Sequence, residues 1–285
     1  MKNILLTGGS GFIGGNIKYI LSEEYNIISP SRNDLNLLDI EQVKSFLHKY
    51  KIDLIIHCAN PTPSKNDIDK LDTILQDSLH IYFNLRSCCN LYEKMLYIGS
   101  GAEFDKRFDI VNTTEDEFGN SIPIDDYGFA KYIMNLDARA STNIYNLRVF
   151  GCYGKGDARG KFIRDMLDYV LEDQDLTIRQ DCKFDYIFVE DLAHIIIKLL
   201  NTSLLYHDYN ITTGRSSSLL EIAKTVIKVT NTNYSINLLK AGLNNEYTAS
   251  NERLIKQIGV YKFTTLEEGI RKQFEWQRSL RCERL

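Results

Sequence analysis

The chain has 285 residues, 44% of them hydrophobic and 25% charged, with a formal net charge of −4. That length holds one large α/β domain, or a nucleotide domain with a smaller substrate lobe, and the composition is that of an ordinary globular protein. The mild acidity gives no electrostatic footprint for nucleic acid or an anionic membrane, no apolar run reaches the length of a membrane span, and the first apolar run is too short for a signal peptide, so a cytoplasmic protein is expected. The six cysteines (58, 88, 89, 152, 182 and 282) form no CxxC pair and have no histidine at ligand spacing. They read as reduced thiols, with neither disulfides nor a bound metal.

In chain order, Ile4, Leu5 and Leu6 are an uncharged run that reads as a strand covered on both faces. Thr7 ends it, and Gly8, Gly9, Gly11 and Gly14 follow at close spacing. Glycines there permit a tight turn, close backbone approach to a pyrophosphate and close packing of the next helix. The free N–H groups of that helix then face the phosphates. A glycine turn with no ligand has the same letters, but its place directly after a strand favours dinucleotide binding. No Lys-Ser/Thr pair follows the last glycine, so this is not a Walker A loop.

Tyr25–Ser29 reads as a second strand, Glu41–Lys49 as a helix, and Asp53–Cys58 as a third strand before the turn Ala59-Asn60-Pro61-Thr62-Pro63. A helix over 71–91 leads into the strand Met95–Ile98. Tyr127–Ala140 is helical in pattern, and Ile144–Phe150 is again a strand. Alternating strands and helices imply a doubly wound parallel sheet with right-handed crossovers. From about 151 the alternation becomes irregular, with a helix at 160–172 and short strands near 176–179 and 208–211. We therefore expect a dinucleotide-binding domain over 1–150, completed by about 185–212. Residues 151–285 would form most of a substrate lobe interleaved with it.

A second constellation is Ser100, Tyr127 and Lys131. Tyr127 and Lys131 are four residues apart on a helix and so share a face. A neighbouring ammonium is expected to lower the phenol's pKa, so that it can exchange a proton with a substrate carbonyl or hydroxyl. Ser100 follows a strand, at the carboxyl edge where ligands sit in this architecture, and could hydrogen-bond the same oxygen. In a chain with 17 tyrosines, one Tyr-x-x-x-Lys arises by chance. The weight lies in its order after the glycine turn and the strand-end serine. His57 reads as a strand residue near the cofactor, and Phe12 and Phe150 as packing.

Together, the TGxxGxxG of residues 7–14, Ser100 and the YGFAK of 127–131 resemble the extended short-chain dehydrogenases/reductases that act on nucleotide sugars. The likeness runs nearly end to end. Ile55 and Ile56 before His57-Cys58-Ala59, Tyr186–Ala193 (YIFVEDLA), Tyr209–Gly214 (YNITTG) and Thr265–Trp276 (TLEEGIRKQFEW) are all similar to family elements. The resemblance implies a Rossmann fold, a nicotinamide dinucleotide, a nucleotide-sugar substrate and a homodimer. Carried over by position, Gly8, Gly11, Phe12, Ile13 and Gly14 would hold the pyrophosphate side. Ile40, Cys58, Ala59, Asn60 and Val149 would line the cofactor. Lys131 would hold the nicotinamide ribose.

Within the family, residues 32–39 are similar to GDP-L-fucose synthase-like 4-keto-sugar reductases. An NAD enzyme usually carries an acid at the end of the second strand, where this chain has Ser29, Ser31 and Arg32. Arg32 reads either as a surface cation or as the partner of a 2′-phosphate, and NADP(H) is the expectation, with Asp39 at the adenine edge. Family dehydratases have an Asp-Glu pair directly after the catalytic hydroxyl residue, where this chain has Gly101-Ala102. The epimerising reductases have a Cys at the position of Ala102 and a His that aligns with Lys161. Two further departures are Gly151, where the family has Asn, and Phe184, where it has Arg. Phosphate recognition would then fall to Lys161, Arg164, Arg179 or Lys183, each of which also reads as a solvated charge. The resemblance thus implies an NADPH-dependent C4 reductase of a GDP-linked 4-keto-6-deoxyhexose or heptose. It would lack epimerase activity and serve surface-polysaccharide synthesis. A 4-epimerase with bound NAD and a non-catalytic dinucleotide sensor are the alternatives. Arg32 speaks against the first and the intact Ser100/Tyr127/Lys131 set against the second.

Overall fold

In a computed structural model, which describes residues 1–61 and 73–282, the first half runs β1 (Asn3–Thr7), α1 (Phe12–Leu21), β2 (Asn26–Ile28), α2 (Ile40–Tyr50), β3 (Leu54–His57), α3 (Ile74–Ser87), β4 (Lys94–Ser100), β5 (Ile110–Thr113), α4 (Asp126–Ala140) and β6 (Ile144–Val149). The second half runs β7 (Gly151–Tyr153), α5 (Phe162–Leu171), β8 (Leu176–Asp181), β9 (Lys183–Phe188), α6 (Val189–Leu200), β10 (Asp208–Ile211) and β11 (Ser216–Ser218). It ends with α7 (Leu219–Thr230), β12 (Ile236–Leu243), β13 (Tyr247–Ala249), α8 (Glu252–Ile258) and α9 (Leu266–Cys282). The start of the helix expected over 71–91 and the residues Thr62-Pro63 of the expected turn lie outside the described residues.

Six strands form one parallel sheet in the order β10-β6-β4-β3-β1-β2. Successive strand side chains point to opposite faces, and both faces are apolar. Ile4, Leu6, Ile56, Leu96 and Leu147 face a cluster closed by Ile17 of α1 and Ile195, Ile196 and Leu199 of α6. Leu5, Ile55, Met95 and Tyr97 face the other, with Val43 and Leu47 of α2, Leu85 of α3 and Met134 of α4. Burying each such side chain contributes about 1.5–3 kcal/mol, so the sheet sits between two helical layers.

The irregularity expected after residue 151 is corrected at one place. The stretch 183–211 is strand, helix, strand: β9, α6 and β10, and β10 pairs in parallel with β6. The helix α6 is amphipathic, with Leu192, Ile195, Ile196 and Leu199 on one face packed between α1 and the sheet and His194 and Lys198 exposed. A smaller sheet, β11-β9-β13-β5 with β7 beside β9, lies next to the pair β8/β12. A third core beneath it joins α5, α7 and α9 through Met166, Leu167, Ile222, Val226 and Ile270.

Candidate active site

The glycine turn is a backbone cradle. Gly8 has φ +70, and a Cβ there would lie 2.7 Å from the Ala59 nitrogen. One on Gly14 would lie 2.2 Å from the Gly8 carbonyl oxygen. Gly11 donates its N–H to that same carbonyl at 3.0 Å and is the N-cap of α1. No side chain caps this helix and no acid lies in its first turn, so its N–H groups are left for a ligand. Thr7 ties the next strand into the floor: its Oγ1 lies 2.7 Å from His57 Nδ1 and accepts the Ala59 N–H at 3.2 Å. Burial, and then the charge of Lys131, lower the His57 pKa to about 3, so His57 is a neutral strut. Burial pushes the adjacent Cys58 thiol up to about 12. Such a bare cradle at a strand end fits the pyrophosphate of a dinucleotide.

In the segment after β2, Arg32 is exposed and has no ion-pair partner among the described residues. Ser31 is engaged, donating to Asp34 from its hydroxyl (2.6 Å) and its N–H (3.0 Å). Asp39 has a structural role that the sequence reading did not assign. It is the N-cap of α2, accepting from the N–H groups of Glu41 (3.0 Å) and Gln42 (3.1 Å) and from the Gln42 side chain (2.9 Å). Ile40 follows it, half-buried.

Ser100 closes β4 and lies beside Val149 of β6 in register. Asp125 caps α4 by accepting the Gly128 N–H at 2.9 Å, which sets the first turn carrying Tyr127. The Ser100 hydroxyl is near enough to the Tyr127 phenol to lower its pKa. Lys131 is buried; its Nζ donates to the Ile98 carbonyl at 2.8 Å and lies 5.9 Å from the centre of the Tyr127 ring. Ser100, Tyr127 and Lys131 therefore meet, but not with the expected electrostatics. Burial holds the phenol above its ordinary pKa and the Ser100 hydroxyl offsets this only in part. Burial also lowers the Lys131 ammonium to about 8, against a raising influence from Glu103.

Glu103 went unnoticed in the sequence, as did Tyr247 and Asp157. Glu103 sits in the 3-10 turn after Ser100, wholly buried, and accepts the Ser100 N–H at 3.1 Å. It also accepts from Arg148 Nε at 2.8 Å and Asn146 Nδ2 at 2.9 Å. Arg148, on a β6 position whose alternation faces the core, continues to Asp208 at 2.9 Å. Asp208 in turn binds Arg139 (2.8 Å) and Arg253 (2.8 Å). Tyr247 of β13 lies over Gly101, its hydroxyl 2.6 Å from where a Cβ on that residue would sit. Asp157, in the loop after β7, is 5% exposed, and burial pushes its carboxyl up to about 7 against the opposing charges of Lys161 and Arg164.

Residues 4–212 match the NAD dependent epimerase/dehydratase family. The chain belongs to that family. Relatives include GDP-6-deoxy-D-talose 4-dehydrogenase of Aggregatibacter actinomycetemcomitans, 28% identical over 242 residues and covering 79% of each chain. GDP-L-colitose synthase of Yersinia pseudotuberculosis is 23% identical over 250 residues, 79% of this chain and 81% of that one. The chain spans about half the length of another relative, the trifunctional UDP-glucose 4,6-dehydratase/UDP-4-keto-6-deoxy-D-glucose 3,5-epimerase/UDP-4-keto-L-rhamnose-reductase of Arabidopsis thaliana (22% identity; 96% of this chain, 47% of that one). Among solved structures, a GDP-L-fucose synthetase from Naegleria fowleri superposes with a TM-score of 0.84 at 16% identity, covering 98% of this chain and 93% of that one. A GDP-mannoheptose C4 reductase from Campylobacter jejuni gives 0.81 at 18% identity, with 97% and 98% covered. These superpositions establish the fold.

The two departures from the family pattern have physical occupants. At Gly151 a Cβ would lie 2.7 Å from the Asp185 carbonyl and 2.8 Å from the Tyr186 ring, so close pairing of β7 with β9 leaves no side-chain space. Phe184 stacks on Tyr186 with ring centres 5.5 Å apart. The four basic residues expected to bind substrate do not form one cluster. Lys161 is the exposed N-cap of α5. Arg164 binds Asp168 at 3.2 Å and lies over Trp276 at 5.0 Å, in a groove between α5 and α9. Arg179 is exposed on β8, and Lys183 lines a separate hollow with Asp109 and Glu246.

Proposed function

We propose that the protein is an NADPH-dependent reductase that converts the C4 ketone of a nucleotide-linked sugar, GDP-linked in our reading, to the alcohol. Bound NADPH supplies the hydride to the C4 carbon. The observation that carries the reading is the convergence of the Ser100 hydroxyl, the Tyr127 phenol and the Lys131 ammonium at the carboxyl edge of the sheet that bears the glycine cradle. Burial keeps Tyr127 protonated, which suits it to give its proton to the carbonyl oxygen as negative charge develops there. Ser100 donates a hydrogen bond to the same oxygen. Lys131, anchored on the Ile98 carbonyl, keeps positive charge beneath the phenol. Position 102 carries a buried methyl that cannot move a proton, which supports reduction without epimerisation. The exposed Arg32, with no ion-pair partner among the described residues, supports NADPH over NADH, through charge pairing with a 2′-phosphate.

Asp157, whose carboxyl burial pushes up to about 7, is the group on which a second reading would rest, in which the protein also exchanges a proton at the carbon beside the ketone. One experiment separates the two. The protein is incubated in deuterated water with a panel of nucleotide-linked 4-keto sugars and either NADPH or NADH, and the product is analysed by NMR. We expect stoichiometric NADPH oxidation, slower turnover with NADH, and no deuterium at C3 or C5 above a no-enzyme control. Absence of cofactor oxidation on every sugar refutes the reductase reading, and deuterium at C3 or C5 establishes the second.

A further inference from the structure

The glycine cradle carries no cation of its own. A dinucleotide's pyrophosphate is negative on both phosphates, and a helix N-terminus offers about half a positive charge. Residues 7–17 hold no basic side chain, and Lys18 lies in the last turn of α1, at the opposite end of the helix. Any cation that meets the phosphates comes from elsewhere in the chain.

The loop after β7 brings one close. Asn16, one turn into α1, donates from Nδ2 to the Phe12 carbonyl and to the Lys155 carbonyl, each at 2.8 Å. The residue after Lys155 rests on the start of the helix: a Cβ built on Gly156 would lie 3.7 Å from the Phe12 ring and 4.0 Å from the Phe12 Cα. Phe12 is the first residue of α1, directly after the Gly11 N-cap. The backbone of Lys155 is thus pinned beside the turn that carries the free N–H groups. Its side chain is exposed and has no ion-pair partner among the described residues. A lysine's four-carbon stem reaches about 5 Å, one helical turn, so the ammonium can span from this clasp to the N-terminus.

We propose that Lys155 is a binding residue for the cofactor: its ammonium pairs with the pyrophosphate seated on the α1 N-terminus, and Asn16 is the clasp that holds it there. The proposal rests on the dinucleotide reading of the cradle and adds a side-chain charge to a site otherwise made of backbone. A nucleotide-sugar substrate carries the same diphosphate chemistry, but it is the cofactor's helix on which Gly156 and Lys155 are fastened.

Dissociation constants for NADPH and NADH, read from the fluorescence of the bound reduced nicotinamide, test this without turnover. Lys155→Met keeps the stem and removes the charge. We expect both cofactors to bind about five- to tenfold more weakly, by the same factor, and with a shallower dependence on salt. Lys155→Arg should restore most of the affinity. Asn16→Ala leaves the charge but frees the loop, and should cost about two- to fivefold for both cofactors. The affinity of the cofactor-loaded protein for GDP should not change. Undiminished cofactor binding in Lys155→Met overturns the proposal. So does a loss confined to NADPH, which puts the charge at the 2′-phosphate, or a loss confined to GDP, which puts it on the substrate. If the unmodified protein binds neither cofactor, the dinucleotide reading falls and the proposal with it; if it binds both and Lys155→Met binds them equally well, the proposal alone falls.

Discussion

Glu103 is the residue through which the core reaches the reaction centre. Its carboxylate holds the Ser100 N–H and raises the pKa values of Lys131 and Tyr127. Glu103→Gln keeps an acceptor for that N–H but removes the charge, so both neighbours lose a raising influence. We expect the basic limb of the pH–rate profile to move to lower pH, with about 3–5 kcal/mol of stability lost because the buried Arg148 keeps only Asp208 as a charged partner. A profile unmoved in pH while stability drops would reduce Glu103 to a packing role. The residues readable in the sequence were those with a fixed local spacing: the glycines, the strand-end serine and the Tyr–Lys pair on one helix face. Glu103 and Tyr247 carried no such signal. Their places at the site come from partners on other strands, and a carboxylate after a serine looks like any turn residue until Arg148 is seen opposite it. The phenol's electrostatics were misread for a related reason, since spacing shows that a lysine is near but not how deeply both groups are buried.

Among the elements, the cradle offers a test in which two neighbouring glycines should behave oppositely. A methyl on Gly14 would fall on the Gly8 carbonyl, 2.2 Å away, whereas one on Gly15 would lie at an ordinary 3.6 Å from the Gly9 carbonyl. Gly14→Ala should cost about 1–3 kcal/mol and weaken NADPH binding tenfold or more, because the turn must open. Gly15→Ala, inside α1, should raise stability by about 0.5–1 kcal/mol and leave binding intact. Thermal melts with and without cofactor measure both, and a harmless Gly14→Ala contradicts the cradle geometry. The strands and helices of the first half were legible because their apolar period is plain and their connections are short. In the second half, α6 went unassigned although Leu192, Ile195, Ile196 and Leu199 repeat at helical spacing, because its core partners lie on strands far away in the chain. The strands β5, β9, β11 and β13 are three to six residues long and gain their stability from pairing across the chain.

For the whole molecule, the crossing of the chain between its two sheets decides how it can be divided. After β9 in the smaller sheet, α6 and β10 return to the large one, and α6 supplies Leu192, Ile195, Ile196 and Leu199 to the core that covers Ile4, Leu6 and Ile56. A fragment ending at residue 150 would leave that face of the sheet in water. We expect it to be insoluble or molten, lacking a near-ultraviolet circular dichroism signal, and the full chain to unfold in a single transition. A folded 1–150 fragment that binds NADPH would show the dinucleotide unit to be autonomous.

The buried charges under Ser100 also constrain how the sequence can drift. The buried Arg148 faces Glu103 and Asp208, while Arg139 and Arg253 reach Asp208 from the rim, where Arg253 also meets Glu115 and the exposed Asp116. Deleting Glu103 or Arg148, both fully buried, leaves the other underpaired without water, at about 3–5 kcal/mol, while exchanging a matched pair for apolar residues can be nearly neutral. These positions form a closed account of charge in which single steps are barred and paired steps are open. A descendant of this chain that discards the carboxylate at 103 must discard or re-employ the guanidinium at 148 in the same move.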